Sequence, residues 1–432
     1  MSERWLAPEL VWLDGAFESL RGVRVDAAGR IAEIGVVPKG AEREPMPGLA
    51  LLPGFVDVHS HAFQRALRGR GDDFPAGAGS FWTWREAMYS LVESMDERRL
   101  LAISTATFRE MRAAGITTAG EFHYLHHRDA AALDFAFDDV VVEAARAAGI
   151  RLVLLQSYYR AGGVRRPLAG GQRRFDGGSL DQFWGSLGRL ERLLDRSRET
   201  LGVAPHSYRA VRREELAELH AEAKRRGMVV HLHLEEQRRE VEELEAAHGL
   251  APSEILLEDL DLGTETTAIH CTHTPADRLT EIFRRGVTVA VCPLTEGNLG
   301  DGIPALRAAS GTRHLALGSD SNLRLSMLEN LRWLEYGQRL AGERRGLLGE
   351  RPAVAALHAA TLGGARSLRL PAGRIAPGQW ADFCAVDLTH PALAATPPEG
   401  LAEALVFGCG DEVIRATAVS GAFTEHRAPW RD

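Results

Sequence analysis

Two histidines stand two positions apart in "GFVDVHSHAFQR", at the end of an apolar run that starts at Gly54. Alternate residues of a β-strand share a face, so His59 and His61 present both imidazoles to one side. The chain repeats the device. His206 follows "LGVAP", His233 lies in "MVVHLHLE", His270 in "TTAIHCTH" and Asp320 in "HLALGSDS". A lone histidine in an apolar strand is ordinarily a hydrogen-bonded core residue. Five histidines and an aspartate at equivalent strand ends are hard to satisfy by protein hydrogen bonds alone, whereas one divalent cation engages several of them together. Three histidines and a carboxylate suit Zn²⁺, with a position left for water. Iron(II) and manganese accept similar donors. His231 lies on the same strand face as His233 and competes with it for a place in such a set.

These donors need elements that bring them together. Eight strand-like runs follow one another: "FVDVHSH", "ITTAGEF", "IRLVLLQS", "LGVAPHS", "MVVHLHLE", "TTAIHCTH", "VTVAVCPL" and "HLALGSDS". Amphipathic segments such as "REELAELHAEAKRRG" separate them, and "AAG" or "RRG" often closes the helix as a glycine C-cap. Eight strands alternating with helices predict a (β/α)₈ TIM-like barrel over residues 53–368, with a doubly wound sheet as the rival. Residues 1–52 and 369–432 read as short strands and turns, and the two ends are expected to build one small β-sandwich domain. In a barrel, side chains at the C-terminal strand ends line the active site.

The 432 residues carry a formal net charge of −8, which argues against non-specific nucleic-acid binding. The N-terminus lacks the pattern of a signal peptide, and no apolar run reaches the ~18 residues of a membrane span. Four cysteines, Cys271, Cys292, Cys384 and Cys409, form no CxxC pair and fit a reducing cytoplasm. The only lysines are Lys39 and Lys224, and neither falls at the end of a barrel strand.

The "HSH" of the first strand, the fifth-strand histidine with a glutamate three residues on, the sixth-strand histidine and the eighth-strand "SD" together resemble the amidohydrolase superfamily. Within it, "HSHAFQRALRG", "FWTWREAMY", "EFHYLHH", "TEGNLGDG" and "LRWLEYGQRL" are similar to the formimidoylglutamate deiminase family. The resemblance spans essentially the whole chain. It implies metal ligands His59, His61, His233 and Asp320, and a single divalent ion, since dinuclear members use a strand-end lysine that is missing here. It also implies catalytic roles for Glu236, His270 and Asp320, with Glu235 as the competitor of Glu236. Substrate contacts follow at Gln64, Arg85, Tyr124, His206 and Arg209, the arginines gripping two carboxylates. The expected reaction is hydrolytic deimination of N-formimidoyl-L-glutamate to N-formyl-L-glutamate and ammonia, in histidine degradation. Relatives suggest a homodimer.

Deamination of a purine, pyrimidine or triazine base is the alternative chemistry. A metal-free, non-catalytic binding protein is the alternative of another class. His123, His126 and His127 are read as hydrogen-bonding groups, and His273 as structural. Cys271 and Cys292 are read as buried apolar groups. Phe81, Trp82 and Trp84 pack either a lid over the barrel mouth or ordinary core, and "GRGDDFPAGAGS" is expected to be a flexible connection.

Overall fold

The computed structural model describes residues 3–70, 81–309, 314–346 and 348–428. The connection read as flexible falls, from residue 71 to 80, outside the described residues, as do the side chains at 81 and 82.

Eight parallel strands run in sequence order: Phe55–Ser60, Ile116–His123, Arg151–Tyr158, Glu199–Pro205, Val230–Leu234, Thr266–His270, Thr288–Val291 and Leu315–Leu317. Each is fully or almost fully buried, as strands covered on both faces must be. The second strand pairs with the third in the register Thr118 to Arg151. Helices cover the outside. Ser179 and Gln182 form a capping box at Leu180–Leu193, and Gly149 caps Ala136–Ala148 in the left-handed conformation the "AAG" signal predicts.

The ring closes between the first and eighth strands, where Ser60 bridges Asp320. The His61 amide donates to the Asp320 carbonyl at 2.9 Å, and the Asp320 amide donates to the His59 carbonyl at 2.8 Å. Gly318 permits this approach. A Cβ there would stand 2.7 Å from the His59 Cβ and 2.8 Å from its carbonyl oxygen.

The two ends of the chain meet in a second sheet. Strand Arg43–Pro53 pairs in parallel with Arg4–Leu13 on one side and antiparallel with Phe383–Asp387 on the other. The strands expected to make a small sandwich belong to one mixed, eight-stranded sheet, with its own apolar cluster around Leu6, Val23, Ile31, Leu51 and Phe383. Arg151, at the start of the third barrel strand, pins this sheet to the barrel. Its guanidinium donates to Asp382 at 2.8 and 3.2 Å and lies 3.5 Å over the Trp380 ring.

Candidate active site

Every barrel strand delivers its last residues to one end, and the polar groups gather there. His59 Nε2 lies 3.2 Å from His233 Nε2 and 3.3 Å from Asp320 Oδ1, and His61 Nε2 lies 3.3 Å from the same oxygen. Two of these rings have fixed tautomers. His61 Nδ1 faces the Phe122 carbonyl at 2.7 Å, and His233 Nδ1 faces the His206 carbonyl at 2.9 Å. A carbonyl only accepts, so both Nδ1 atoms carry the proton and both Nε2 lone pairs point inward. Burial holds His59 and His233 below the ordinary imidazole range and pulls His61 down to about 3, favouring the neutral, ligating form. Asp320 stays ionised. Burial pushes its carboxyl up, but the hydrogen bond to His59 and the charges of His59, His61 and His270 bring it below the ordinary carboxylate range.

Inward lone pairs at these separations repel one another unless a cation lies among them. Tetrahedral donors at ~2.0–2.1 Å from zinc would stand ~3.3 Å apart. The three measured edges match that value, so the residues present fit a divalent ion.

A second buried group, His123, His126 and Asp138, offers a contrast. Its edge from His126 Nδ1 to Asp138 Oδ1 is 2.7 Å, a hydrogen bond too short for two ligands of one ion. His126 spends its other nitrogen on the Ser157 carbonyl at 2.8 Å. His127 braces its own loop: Nε2 donates to the Asp176 carbonyl, while Nδ1 accepts from the amides of Asp134 and Phe135. His126 and His127 thus do the hydrogen bonding their sequence context predicts, whereas His123 only approaches Asp138, with Nε2 3.3 Å from Oδ1.

Of the competing pairs, His231 is turned away, with Nε2 3.4 Å from the Ser367 carbonyl. Glu235 takes the left-handed conformation (φ 52°) and accepts the Ser253 amide, which aims it at the outer helices. Glu236 instead lines the cavity beside the donors. Burial raises its carboxyl, and His270 and Arg209 only partly reverse this.

His270 lies deeper. Its Nδ1 is 3.1 Å from Glu296 Oε1 and its Nε2 is 3.9 Å from Asp320 Oδ2. Burial pulls this imidazole down, but the carboxylates of Glu236, Glu296 and Asp320 outweigh it and push it up to about 10.

The cavity in front of the donors also collects Gln64, Arg85, Tyr124, His206 and Arg209. Gln64 donates to the Tyr124 hydroxyl at 2.6 Å. Arg85 donates to the Tyr89 hydroxyl and to the Gly162 carbonyl. Arg209 is 5% exposed. Burial opposes its charge, yet Glu240, Tyr159 and Glu236 more than compensate. Trp84 is buried and forms part of the wall, on helix Phe81–Glu93. His273 is partly buried, and its amide donates to the Glu235 carbonyl.

Several functional neighbours escape sequence reasoning. Glu121, two residues before His123, accepts the Ala62 amide and the Ser60 hydroxyl, both at 2.7 Å, and so tethers the chain on either side of His61. Its carboxyl is pushed up to about 8 by burial. Tyr89 and Tyr159 help line the cavity. The only sequence signal for Glu121 is its place beside "FHYLHH"; Tyr89 stands in "FWTWREAMY".

A profile of the amidohydrolase family matches residues 50–423. The formimidoylglutamate deiminase of Pseudomonas aeruginosa is 37% identical over 97% of this chain and 93% of its own length. A 5-methylthioadenosine/S-adenosylhomocysteine deaminase of Haloquadratum walsbyi is 29% identical over 87% of this chain and 79% of its own. Among solved structures, an amidohydrolase from Brucella melitensis superposes with a TM-score of 0.85 at 30% identity, covering 98% of this chain and 94% of the other. An adenosine deaminase from Xanthomonas campestris, solved with bound zinc, gives a TM-score of 0.81 at 23% identity, over 98% and 92% of the two chains.

Proposed function

Because the chain belongs to the amidohydrolase family, we propose that it hydrolyses N-formimidoyl-L-glutamate to N-formyl-L-glutamate and ammonia. The observation that carries this reading is a set of four buried donors, three of whose separations are 3.2–3.3 Å, opening onto a cavity that holds two arginines. The 37% identical deiminase supports the choice of substrate.

In this reading His59, His61, His233 and Asp320 hold one divalent ion, Zn²⁺ by the nature of the donors. Bound there, the ion supplies Lewis acidity that lowers the pKa of water from 15.7 toward ~7. A second ion lacks its usual bridging lysine: Lys224 lies on helix Arg213–Arg225 and pairs with Asp261 at 2.7 Å, and Lys39 precedes the barrel.

The chain's own groups then divide the work. Arg85 and Arg209 grip the two substrate carboxylates, while Gln64, Tyr124 and His206 supply polar contacts along the acyclic chain. This places the formimidoyl carbon against the donor set. Asp320 accepts a proton from the attacking water as its oxygen bonds to that carbon. Glu236, whose carboxyl burial raises, is suited to carry a proton to the departing nitrogen. His270 steadies the charge that develops on the tetrahedral carbon's substituents. A second proton, passed on from Asp320, completes ammonia as the C–N bond breaks; the hydroxyl returns its remaining proton to Glu236, and the new carbonyl is the formyl group. Paired arginines favour this dianionic substrate over the neutral ring of an aromatic base.

Compartment and assembly belong to the same reading. Four buried free cysteines accord with a reducing, cytoplasmic setting. The protein acts as a homodimer, to be checked by light scattering. No helix among the described residues is long and apolar enough to cross a membrane. The deciding experiment is ammonia release from formimidoylglutamate, compared with guanine and cytosine, with and without a chelator. Release from the bases alone would reject the assignment.

A further inference from the structure

Two acids of "TEGNLGDG", Glu296 and Asp301, have no part in the reaction as derived above. Both are buried, and both reach toward groups that do. They sit on the short helix Pro293–Leu299, directly after the seventh barrel strand, and just beyond its left-handed cap Gly300. Glu296 Oε1 lies 3.1 Å from His270 Nδ1. An ionised carboxylate only accepts, so the proton between them sits on Nδ1 and the free edge of the ring is Nε2, on the side of Asp320. The backbone of His270 is itself in the left-handed conformation (φ 71°), uncommon for a residue with a Cβ. Its ring is therefore placed by what grips it, not by a regular strand. Asp301 extends the link. Its amide donates to the Glu296 carbonyl at 2.9 Å, and its Oδ1 accepts from Gln237, the residue next to Glu236.

We propose that Glu296 is a positioning residue for deimination: by accepting the Nδ1 proton of His270 it holds that ring with Nε2 turned toward the reacting carbon. The inference rests on the deiminase reading for its kinetic arm only. A purely local role competes with it, because the same Oε1 also accepts the Cys292 amide at 2.9 Å and so stabilises the start of the helix.

A double-mutant cycle separates the two. Glu296→Leu and Glu296→Gln are each made in the unsubstituted chain and in His270→Asn, as metal-loaded protein. Glu296→Leu should lower kcat about 10–10²-fold, the scale for the partner of an active-site histidine, with KM within about threefold and metal content unchanged. Glu296→Gln, which keeps an acceptor oxygen, should recover part of the loss. In the His270→Asn background neither change should matter by more than about twofold. Equal losses in both backgrounds would mark Glu296 as a local structural residue and overturn the proposal.

The second readout needs no substrate. In protein labelled with ¹⁵N-histidine, one downfield Nδ1–H signal should vanish in His270→Asn and also in Glu296→Leu. Its persistence in Glu296→Leu overturns the proposal, and this readout decides if His270→Asn has no measurable turnover. Failure of the unsubstituted protein to release ammonia from formimidoylglutamate would count against the deiminase reading alone.

Discussion

Arg209→Met is the sharpest test of how the site selects its substrate. The residue follows His206 by three positions on the loop after the fourth strand. That loop is tied down: the Ala210 carbonyl accepts the amides of Arg160 and Ala161 at 2.8 and 2.9 Å. The guanidinium is buried in the cavity wall and keeps its charge there. A planar fork on a fixed loop can meet a carboxylate with two parallel hydrogen bonds. Methionine keeps the length and removes the fork. Each charge-assisted bond contributes about 1.5–3 kcal/mol, so two give at least about 3 kcal/mol. At 1.4 kcal/mol per factor of ten, KM should rise about 10²-fold, with kcat changed far less. Arg85, the other arginine of the cavity, is held by its bonds to Tyr89 and Gly162, and Arg85→Met should also raise KM. The assay is steady-state ammonia release with formimidoylglutamate and with formimidoylglycine, which lacks one carboxylate. If Arg209 grips the missing group, the two losses will not add. A KM for formimidoylglutamate within about threefold of the parent value, with the melting temperature preserved, would refute the reasoning.

Other expectations follow from the same geometry. Glu236→Gln should lower kcat by ~10²-fold or more, the scale of lost general acid–base catalysis, while metal analysis still finds about one ion per chain. Chelation should abolish turnover and Zn²⁺ should restore it; two ions per active chain would contradict the single-ion reading. Arg151→Leu leaves Asp382 buried without its partner. Breaking such a pair costs about 3–5 kcal/mol, to be read as a fall in ΔG of unfolding by urea titration.

The barrel was legible because its signals are local. Apolar runs of strand length recur with helical spacing between them, and glycines mark where helices stop. The donors were legible because metal ligation is tied to residue type and to strand ends, as with His59, His61 and Asp320. The choice between His231 and His233 was harder. Both occupy one face at the sequence level, and only the depth of the strand in the ring separates them: the earlier residue meets Ser367, and the later one reaches His59. Glu121, Glu296 and Asp301 were not legible as site residues. Each acts on a group distant in sequence, 26 residues for Glu296 and His270 and 61 for Glu121 and Ser60, which only the pairing of the strands brings near. An acid beside a helix start carries no mark of which imidazole it will meet.

Closure of the ring and placement of the donors are one event. The backbone bonds that join the eighth strand to the first run between His59, His61 and Asp320 themselves. Asp320 takes φ 54° to do this, and His270 and Glu235 have φ of 71° and 52° at neighbouring strand ends. Left-handed residues with a Cβ cost of order 1–3 kcal/mol each. Regular strands would avoid that cost and would leave these side chains in the alternation of the sheet, pointing either to the core or to the helices. The turn out of strand geometry frees Asp320 to face two imidazoles at once. The stability forgone at the barrel mouth must be recovered elsewhere. The interior strands, the Arg151–Asp382 pin and the apolar cluster of the flanking sheet are where the structure concentrates it. Asp320→Gly relieves the left-handed backbone at that position and should nonetheless lose the bound ion, read by metal analysis of the purified protein.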